Sequence, residues 1–275
     1  FRRKNFKAFN YFYYFIFIIC SLILIFGYFL NEIKKTSASN IYLNYPNINF
    51  EILPLEYKKD FELKSFSSKN KRRFLIIGDS HAYDFYNILE SNTKLNNENE
   101  FKYLEHEIYN YFKNIKEIER QAIFKESEFI ILTSDYTQKD IILLEKVINN
   151  LKSKNKKIIL SSHTADYNVI EVPLVDILLS AKKILNKVEM EKRLFLSLNQ
   201  RKIKESKKIK HIADKNEVIY LNKLKYACNL PKKICFTTDK NNNLINYDKT
   251  HIGIDGAKFF GESFYIENFF KELKF

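Results

Sequence analysis

Two short motifs, far apart along the chain, contain the residue types that a serine nucleophile requires. The first reads GDSH at residues 78–81, and the second reads DKTH at residues 248–251. A serine hydroxyl attacks a carbonyl carbon when a histidine takes its proton and an acid orients that histidine. We therefore predict that Ser80 is the nucleophile, that His251 is its base and that Asp248 orients the base.

Both motifs also have simpler interpretations. Ser80 or Asp79 would cap a helix that begins at the first motif. Asp248 would cap a helix after the second motif, and His251 would then be a solvated loop residue. The position of Ser80 favours catalysis, because Gly78 allows a sharp turn and the N–H groups at a helix start favour an oxyanion.

The other histidines compete with His251 for the role of base. His163 follows a predicted strand, and we expect it to have a structural or surface role. His106 and His211 lie in polar stretches, and we expect them to be solvated. His81 directly follows the proposed nucleophile, where it would be structural or would contact the substrate.

Short apolar runs that alternate with helical stretches must position these motifs. The predicted strands are 74–77, 129–132, 157–160 and 217–220, with a further candidate at 101–104 in the ambiguous segment 92–128. The predicted helices are 82–91, about 139–151, 183–212 and 256–273. This alternation predicts a parallel sheet with helices on both faces, and ligands bind beyond the carboxyl ends of such strands. Because the GDSH motif directly follows the first strand, we expect the active site at that edge.

An uncharged apolar segment at residues 11–30 predicts one transmembrane helix, since about 20 such residues cross a bilayer core. A buried helix would show a polar face, and a signal peptide would have a shorter apolar region and a cleavage site. The basic flank 1–10 predicts a cytoplasmic N-terminus, so that the later residues lie outside the cytoplasm. We interpret 31–70 as a linker and 71–275 as the catalytic domain. The chain begins with Phe rather than Met, so we expect further protein upstream.

The three cysteines do not form a CxxC pair, and nothing in their spacing indicates a zinc site. Outside the cytoplasm, Cys228 and Cys235 can form a disulfide that stiffens the segment before Asp248. The alternative is a pair of free buried thiols. Cys20 lies in the predicted span as a small apolar residue.

The net charge of +13 does not by itself indicate a nucleic-acid partner. Lysines are scattered over the whole chain, whereas nucleic-acid-binding proteins cluster their basic residues on one face. We therefore expect no nucleic-acid binding.

The motifs together resemble the SGNH/GDSL hydrolase superfamily, and most closely the SGNH domain fused to acyltransferase-3 membrane proteins, which O-acetylate bacterial surface sugars. In that subgroup the first block commonly reads GDSH. A cysteine pair often precedes the final D-x-x-H, which continues into a glycine-containing helix. The resemblance covers about residues 71–275. It implies a three-layer α/β/α, flavodoxin-like domain in which Ser80, His251 and Asp248 form the triad.

The chain departs from the superfamily pattern in its oxyanion donors. Other members use a glycine and an asparagine from two middle blocks, whereas this chain has no glycine between Gly78 and Gly253. The Ser80 N–H remains available, and Ser134 and Asp135 are positional candidates after the predicted strand 129–132. With Asp79 and His81, they complete the set of expected substrate contacts.

The resemblance implies a membrane-anchored serine O-acyltransferase that works through an acyl-enzyme. The acyl group, expected to be acetyl, would pass to a bacterial surface polysaccharide or another cell-envelope glycan. A membrane acyltransferase portion or partner would supply the donor, and no metal or soluble cofactor is required. The domain would face the periplasm or cell exterior from the cytoplasmic (inner) membrane. Two alternatives remain open, namely a carbohydrate esterase or deacetylase with the same triad, and an inactive SGNH-like binding module.

Overall fold

The computed structural model describes residues 16–24, 41, 43–50, 65–68, 70–170, 172–181 and 184–273. The chain divides into two compact units, Phe1–Pro46 and Asn47–Phe275. In the first unit, residues 16–24 are helical, while the rest of the predicted span 11–30 and the flank 1–10 lie outside the described residues. No helix among the described residues is long and apolar enough to cross a membrane. Most of the predicted linker 31–70 also lies outside them, and its boundaries stay a prediction.

The second unit is built on five parallel strands in the order β2-β1-β3-β4-β5. The strands are β1 (Arg72–Gly78), β2 (Asn99–Glu105), β3 (Phe129–Leu132), β4 (Lys157–Ser161) and β5 (Ile219–Leu221). The central strands β1, β3 and β4 are buried almost throughout. Such continuous apolar runs fit strands that are covered on both faces. The candidate strand 101–104, in the segment whose pattern was ambiguous, lies within β2, which pairs with β1.

Eleven helices are described in this unit. They are α1 (Ser80–Glu90), α2 (Thr93–Glu98), α3 (Tyr111–Arg120), α4 (Ala122–Glu126), α5 (Gln138–Ser153), α6 (Pro173–Ser180), α7 (Lys187–Leu196), α8 (Gln200–Lys215), α9 (Leu224–Ala227), α10 (Ile254–Gly261) and α11 (Phe264–Glu272). A single 3₁₀ turn, Ile108–Asn110, precedes α3. The fold is thus a three-layer α/β/α arrangement around a parallel sheet.

Alternate residues of β1 show how the two helical layers cover the sheet, because successive strand side chains point to opposite faces. Leu75 and Ile77 belong to a buried cluster that includes residues of α3, α5 and α8. On the other face, the Phe74 ring contacts Phe129 at 4.4 Å and Phe270 of α11 at 5.4 Å between ring centroids. Aromatic packing therefore joins the C-terminal helix to the first strand.

Two stretches predicted as single helices are each divided in the structure. The stretch 183–212 contains α7 and α8, and the Asn199 side chain caps α8 by accepting the N–H of Arg201. The stretch 256–273 lies across α10 and α11, and the Ser263 side chain caps α11. Side-chain caps of this kind satisfy the first free N–H groups of a new helix, which makes a break energetically tolerable.

The fourth predicted strand starts later than the sequence pattern indicates. Glu217 has φ of 49°, so the backbone there turns through the left-handed region before β5 begins at Ile219. After β5, strands β6 (Cys228–Asn229) and β7 (Ile234–Cys235) form a small antiparallel hairpin. The predicted Cys228–Cys235 pairing is present as a disulfide across this hairpin.

The carboxyl ends of β1 and β3 approach each other unusually closely at Gly78. The Thr133 N–H donates to the Ile77 carbonyl oxygen at 3.1 Å. A Cβ atom added to Gly78 would lie 1.6 Å from the Thr133 carbonyl oxygen. Only glycine fits such an approach, so the turn that presents Ser80 depends on the missing side chain.

We expect Gly78→Ala to destabilise the domain by about 3 kcal/mol or more, because the new methyl group can fit only if two central strands separate. Chemical denaturation of the full chain in detergent would measure the change in unfolding free energy. Asn149→Ala, on the exposed side of α5, is the matched control and should leave that energy nearly unchanged. An unaltered unfolding midpoint for Gly78→Ala would contradict the assigned close approach.

Candidate active site

The two predicted motifs meet at the carboxyl edge of the sheet, although 171 positions separate Ser80 from His251 along the chain. Ser80 begins α1 directly after β1, and His251 lies in the loop before α10. The Ser80 Oγ atom is 3.0 Å from His251 Nε2. His251 Nδ1 is 2.8 Å from Asp248 Oδ2. This is the arrangement of a nucleophile, a base and an orienting acid.

The base loop, residues 247–252, is organised by the Asp248 carboxylate. Its Oδ1 atom accepts the N–H of Thr250 at 2.8 Å and the N–H of His251 at 2.7 Å. The Tyr247 N–H donates to the His251 carbonyl oxygen at 3.2 Å and closes the loop. Asp248 thus fixes both the backbone of His251 and the direction of its ring, as an aspartate in a tight turn can.

The two partners shift each other's protonation in the directions that base catalysis requires. Partial burial works against the Asp248 carboxylate, but the bonds from His251 and from Thr250 hold the pKa of Asp248 well below its usual range. The hydrogen bond to Asp248 raises the pKa of His251, against the effect of its partial burial. A proton on Nδ1 fits the carboxylate acceptor and leaves Nε2 free to accept the serine proton.

Two rings pack against the base. His81 stacks on His251 with ring centroids 4.7 Å apart, and Tyr247 stacks on it at 5.7 Å. Burial lowers the pKa of His81 to about 4, so its ring is neutral at pH 7. A neutral aromatic ring can lie against an imidazolium without charge repulsion.

Asp79 joins the loops that follow β1 and β3. One carboxylate oxygen accepts the N–H of His81 at 3.0 Å and caps α1. The other accepts the Ser134 hydroxyl at 2.7 Å and the Asp135 N–H at 2.9 Å. The capping interpretation of Asp79 is therefore correct, and the same side chain also holds the two loops together.

The candidate donors to an oxyanion differ in whether their hydrogens already have an acceptor in the structure. The Ser80 N–H lies in the first turn of α1, where the helix dipole favours negative charge. The Ser134 hydroxyl and the Asp135 N–H both donate to Asp79. For either of them to stabilise an oxyanion, its bond to Asp79 would have to be exchanged.

The remaining histidines lie away from the triad contacts. His163 is 2% exposed, with ring nitrogens 3.2 Å from an Asp135 oxygen and 3.4 Å from a Glu205 oxygen, so its role is structural. His106 is half-buried, its backbone N–H donates to the Gly78 carbonyl oxygen at 2.8 Å, and the Nε2 atom of its ring is shielded from solvent, so the expectation of a solvated residue is wrong. His211 is exposed on α8, as expected.

Two buried charged residues near the triad were not identified from sequence. Asp84 lies one turn after Ser80 on α1, and burial raises its pKa to about 7. Lys223 follows β5, and its Nζ atom donates to the Thr133 hydroxyl at 2.7 Å. Burial lowers the pKa of Lys223 to about 8. The sequence contained one signal for each residue. Asp84 lies four residues after Ser80, and Lys223 follows a predicted strand.

One group among the described residues has metal-ligand chemistry, namely His81, Asp84 and His251, with ligand atoms within 4.8 Å of one another. Both ring nitrogens of His251 are already engaged by Ser80 and Asp248. The His81 and His251 rings are stacked with an interplanar angle of 18°. Lone pairs that lie in nearly parallel ring planes do not converge well on one ion, so these residues fit the surroundings of a base better than a metal centre.

Comparison with known proteins gives one family and a set of similar folds. Residues 53–265 match the family described as SGNH domain (fused to AT3 domains). The periplasmic domain of a lipopolysaccharide acetyltransferase from Salmonella ser. Paratyphi A is similar, with a TM-score of 0.56 and 19% identity over 74% of this chain and 85% of that chain. No match to a curated protein sequence was found.

Two further structures have lower similarity. An acetyl xylan esterase has a TM-score of 0.44 and 16% identity, covering 69% of this chain and 96% of that chain. A GDSL-like lipase from Bacteroides thetaiotaomicron VPI-5482 has a TM-score of 0.44 and 13% identity, covering 75% of this chain and 91% of that chain.

We expect the rate at which a fluorophosphonate labels Ser80 to rise with pH through a midpoint above 6.5. The base must be neutral to accept the serine proton, and Asp248 raises its pKa. Asp248→Asn should slow labelling by on the order of 10³–10⁴-fold, because the asparagine amide favours the wrong tautomer.

Mass spectrometry of the labelled peptide would measure this rate on the full chain in detergent. Asp214→Asn on the exposed side of α8 is the control and should label at the native rate. Labelling that is independent of pH, or unchanged in Asp248→Asn, would refute the assigned roles.

Proposed function

The chain belongs to the family of SGNH domains fused to AT3 domains, and we propose that it is a serine enzyme that transfers an acyl group to a hydroxyl of a cell-envelope glycan. The observation that carries this proposal is the 3.0 Å contact between Ser80 Oγ and His251 Nε2. We propose acetyl as the acyl group, in keeping with the acetyltransferase that has the similar fold.

In the first half-reaction, the Ser80 oxygen attacks the carbonyl carbon of the acyl donor while its proton passes to His251 Nε2. Asp248 stabilises the imidazolium that forms, and the Ser80 N–H faces the developing oxyanion. The donor's leaving group takes the proton from His251 as its bond to the acyl carbon breaks. The product is an ester of Ser80, and His251 is again neutral.

In the second half-reaction, a glycan hydroxyl replaces the departed group. His251 takes the proton of this hydroxyl, and the glycan oxygen attacks the acyl carbon of the Ser80 ester. The proton then returns to the Ser80 oxygen as the ester bond to the enzyme breaks. The acyl group ends on the glycan, and the enzyme regains its starting state without a metal or soluble cofactor.

We propose that the domain works outside the cytoplasm, anchored to the cytoplasmic membrane by the apolar segment 11–30. The basic residues before that segment and the disulfide after it support this orientation. Membership of a family fused to AT3 domains supports an acyl donor delivered by a membrane acyltransferase portion or partner.

A second candidate function is hydrolysis of an ester on a glycan by the same triad. The side chains of His251 and Asp248 are 21% and 39% exposed, so water can reach the acyl-enzyme. Water would then replace the glycan hydroxyl in the second half-reaction. An inactive binding module is the least supported of the three functions. The hydrogen bonds that link Ser80, His251 and Asp248 would serve no purpose in such a module.

We expect Ser80→Ala to lower acyl transfer at least about a thousand-fold while the protein stays folded, because the substitution removes the nucleophile alone. The assay would mix the full chain in detergent with p-nitrophenyl acetate and an oligosaccharide. Mass spectrometry of the sugar would report transfer, and free acetate would report hydrolysis.

Ser153→Ala, at the exposed end of α5, is the matched control and should keep native activity. Acetate release without sugar acetylation would favour the esterase. Native protein that neither turns over nor takes a fluorophosphonate on Ser80 would exclude both enzymes and leave the binding module.

A further inference from the structure

Asp84 connects the helix that carries the nucleophile to the loop that carries the base. The four-residue spacing puts Asp84 and Ser80 on the same side of α1. Asp84 is 9% exposed, and a carboxyl oxygen lies within 4.8 Å of a His251 ring nitrogen. The backbone N–H of Ile252, which directly follows the base, faces this carboxyl group and favours its ionised form. Asp84 is therefore a second carboxyl group next to His251, in addition to Asp248.

Lys223 is a buried cation whose charge acts on Asp84. Its side chain is 1% exposed, and its Nζ atom donates to the Thr133 hydroxyl at 2.7 Å and lies 5.9 Å from the centroid of the Phe85 ring. It interacts electrostatically with the carboxylates of Asp79 and Asp84. A lysine at this depth loses most of its hydration, so it must have compensating partners.

We propose that Asp84 and Lys223 are positioning residues for the base, with Lys223 favouring the ionised form of Asp84 and Asp84 stabilising the imidazolium formed on His251. This inference rests on the proposed function, because it takes His251 as the base that accepts the Ser80 proton.

Charged and titratable groups from several elements surround His251 and Asp84. Those facing His251 are Asp248 and Tyr247 from its own loop, Asp79 from the turn after β1, and His81 and Asp84 from α1. Those facing Asp84 are His251, Asp248 and Tyr247 from the base loop, and Lys223 and Tyr226 from the segment after β5.

The protonation of Asp84 responds to the step in which His251 takes the serine proton. Burial raises the pKa of Asp84 to about 7, while the positive charges of His251 and Lys223 work in the opposite direction. A new charge on His251 therefore favours the ionised carboxyl group, and the ionised carboxyl group favours the charged histidine. Without Lys223, Asp84 would be protonated over more of the pH range and would give the imidazolium less support.

The test is an NMR titration of His251 in the full chain in detergent, with isotope-labelled histidine and His251→Gln for assignment. Asp84→Asn keeps the size and an acceptor oxygen of the side chain but has no charge, and we expect it to lower the pKa of His251 by about one unit. Lys223→Met should lower it by about half as much, and Lys223→Arg should restore it.

A variant that combines Asp84→Asn with Lys223→Met tests whether the two residues act on His251 together. If Lys223 acts through Asp84, then Lys223→Met has little further effect once Asp84→Asn is present, and the two shifts are not additive. The labelling rate of Ser80 should fall about tenfold in Asp84→Asn, with its midpoint moved to lower pH. A purely structural role for Asp84 would slow labelling without moving this midpoint.

The control pair is Lys210→Met and Asp214→Asn, which removes an exposed ion pair on α8 and should leave His251 unchanged. A native titration of His251 in folded Asp84→Asn, or additive shifts in the double variant, would overturn the inference. If Asp84→Asn does not fold, the comparison of Lys223→Met with Lys223→Arg decides. Native protein that fails to label at Ser80 would instead refute the proposed function, and the titration would still test the charge linkage.

Discussion

The hydrogen bond between Ser80 and His251 sets the main structural requirement of this domain. Its two atoms must stay 3.0 Å apart, although they come from the first strand–helix turn and from the loop before the last two helices. A parallel sheet meets this requirement because the carboxyl ends of its strands share one edge. The C-terminal helices then pack against α1 and β1, as the contact of Phe270 with Phe74 shows.

Close backbone packing and a few polar side chains give this edge its geometry. Gly78 allows β1 and the end of β3 to approach, and Asp79 then bonds the loop after β3 through Ser134 and Asp135. Asp248 arranges the base loop in a similar way through backbone N–H groups. In both loops a carboxylate accepts backbone N–H groups, and this provides order where no regular secondary structure exists.

The sequence allowed the parallel sheet and the proximity of Ser80, His251 and Asp248 to be predicted, because local patterns marked both the strands and the two motifs. Apolar runs of four residues marked the central strands, and GDSH followed one of them directly. The helix breaks near Asn199 and Ser263 were missed, since asparagine and serine occur inside continuous helices as well as at their N-caps. Asp84 and Lys223 were missed for a different reason. A charged residue is normally solvated, and only the three-dimensional packing shows that these two are buried together.

The small disulfide hairpin bears on how the chain matures in the cell. Cys228 and Cys235 are separated by seven positions, so the bond restricts only a short loop of the unfolded chain and contributes roughly 2–3 kcal/mol. Both cysteines are buried, but they lie outside the hydrophobic cluster that joins α3, α5 and α8 to the sheet, and this cluster can assemble before oxidation takes place. Oxidation would then act on a chain in which this layer is already formed, and the bond would restrain the hairpin rather than direct the folding of that layer.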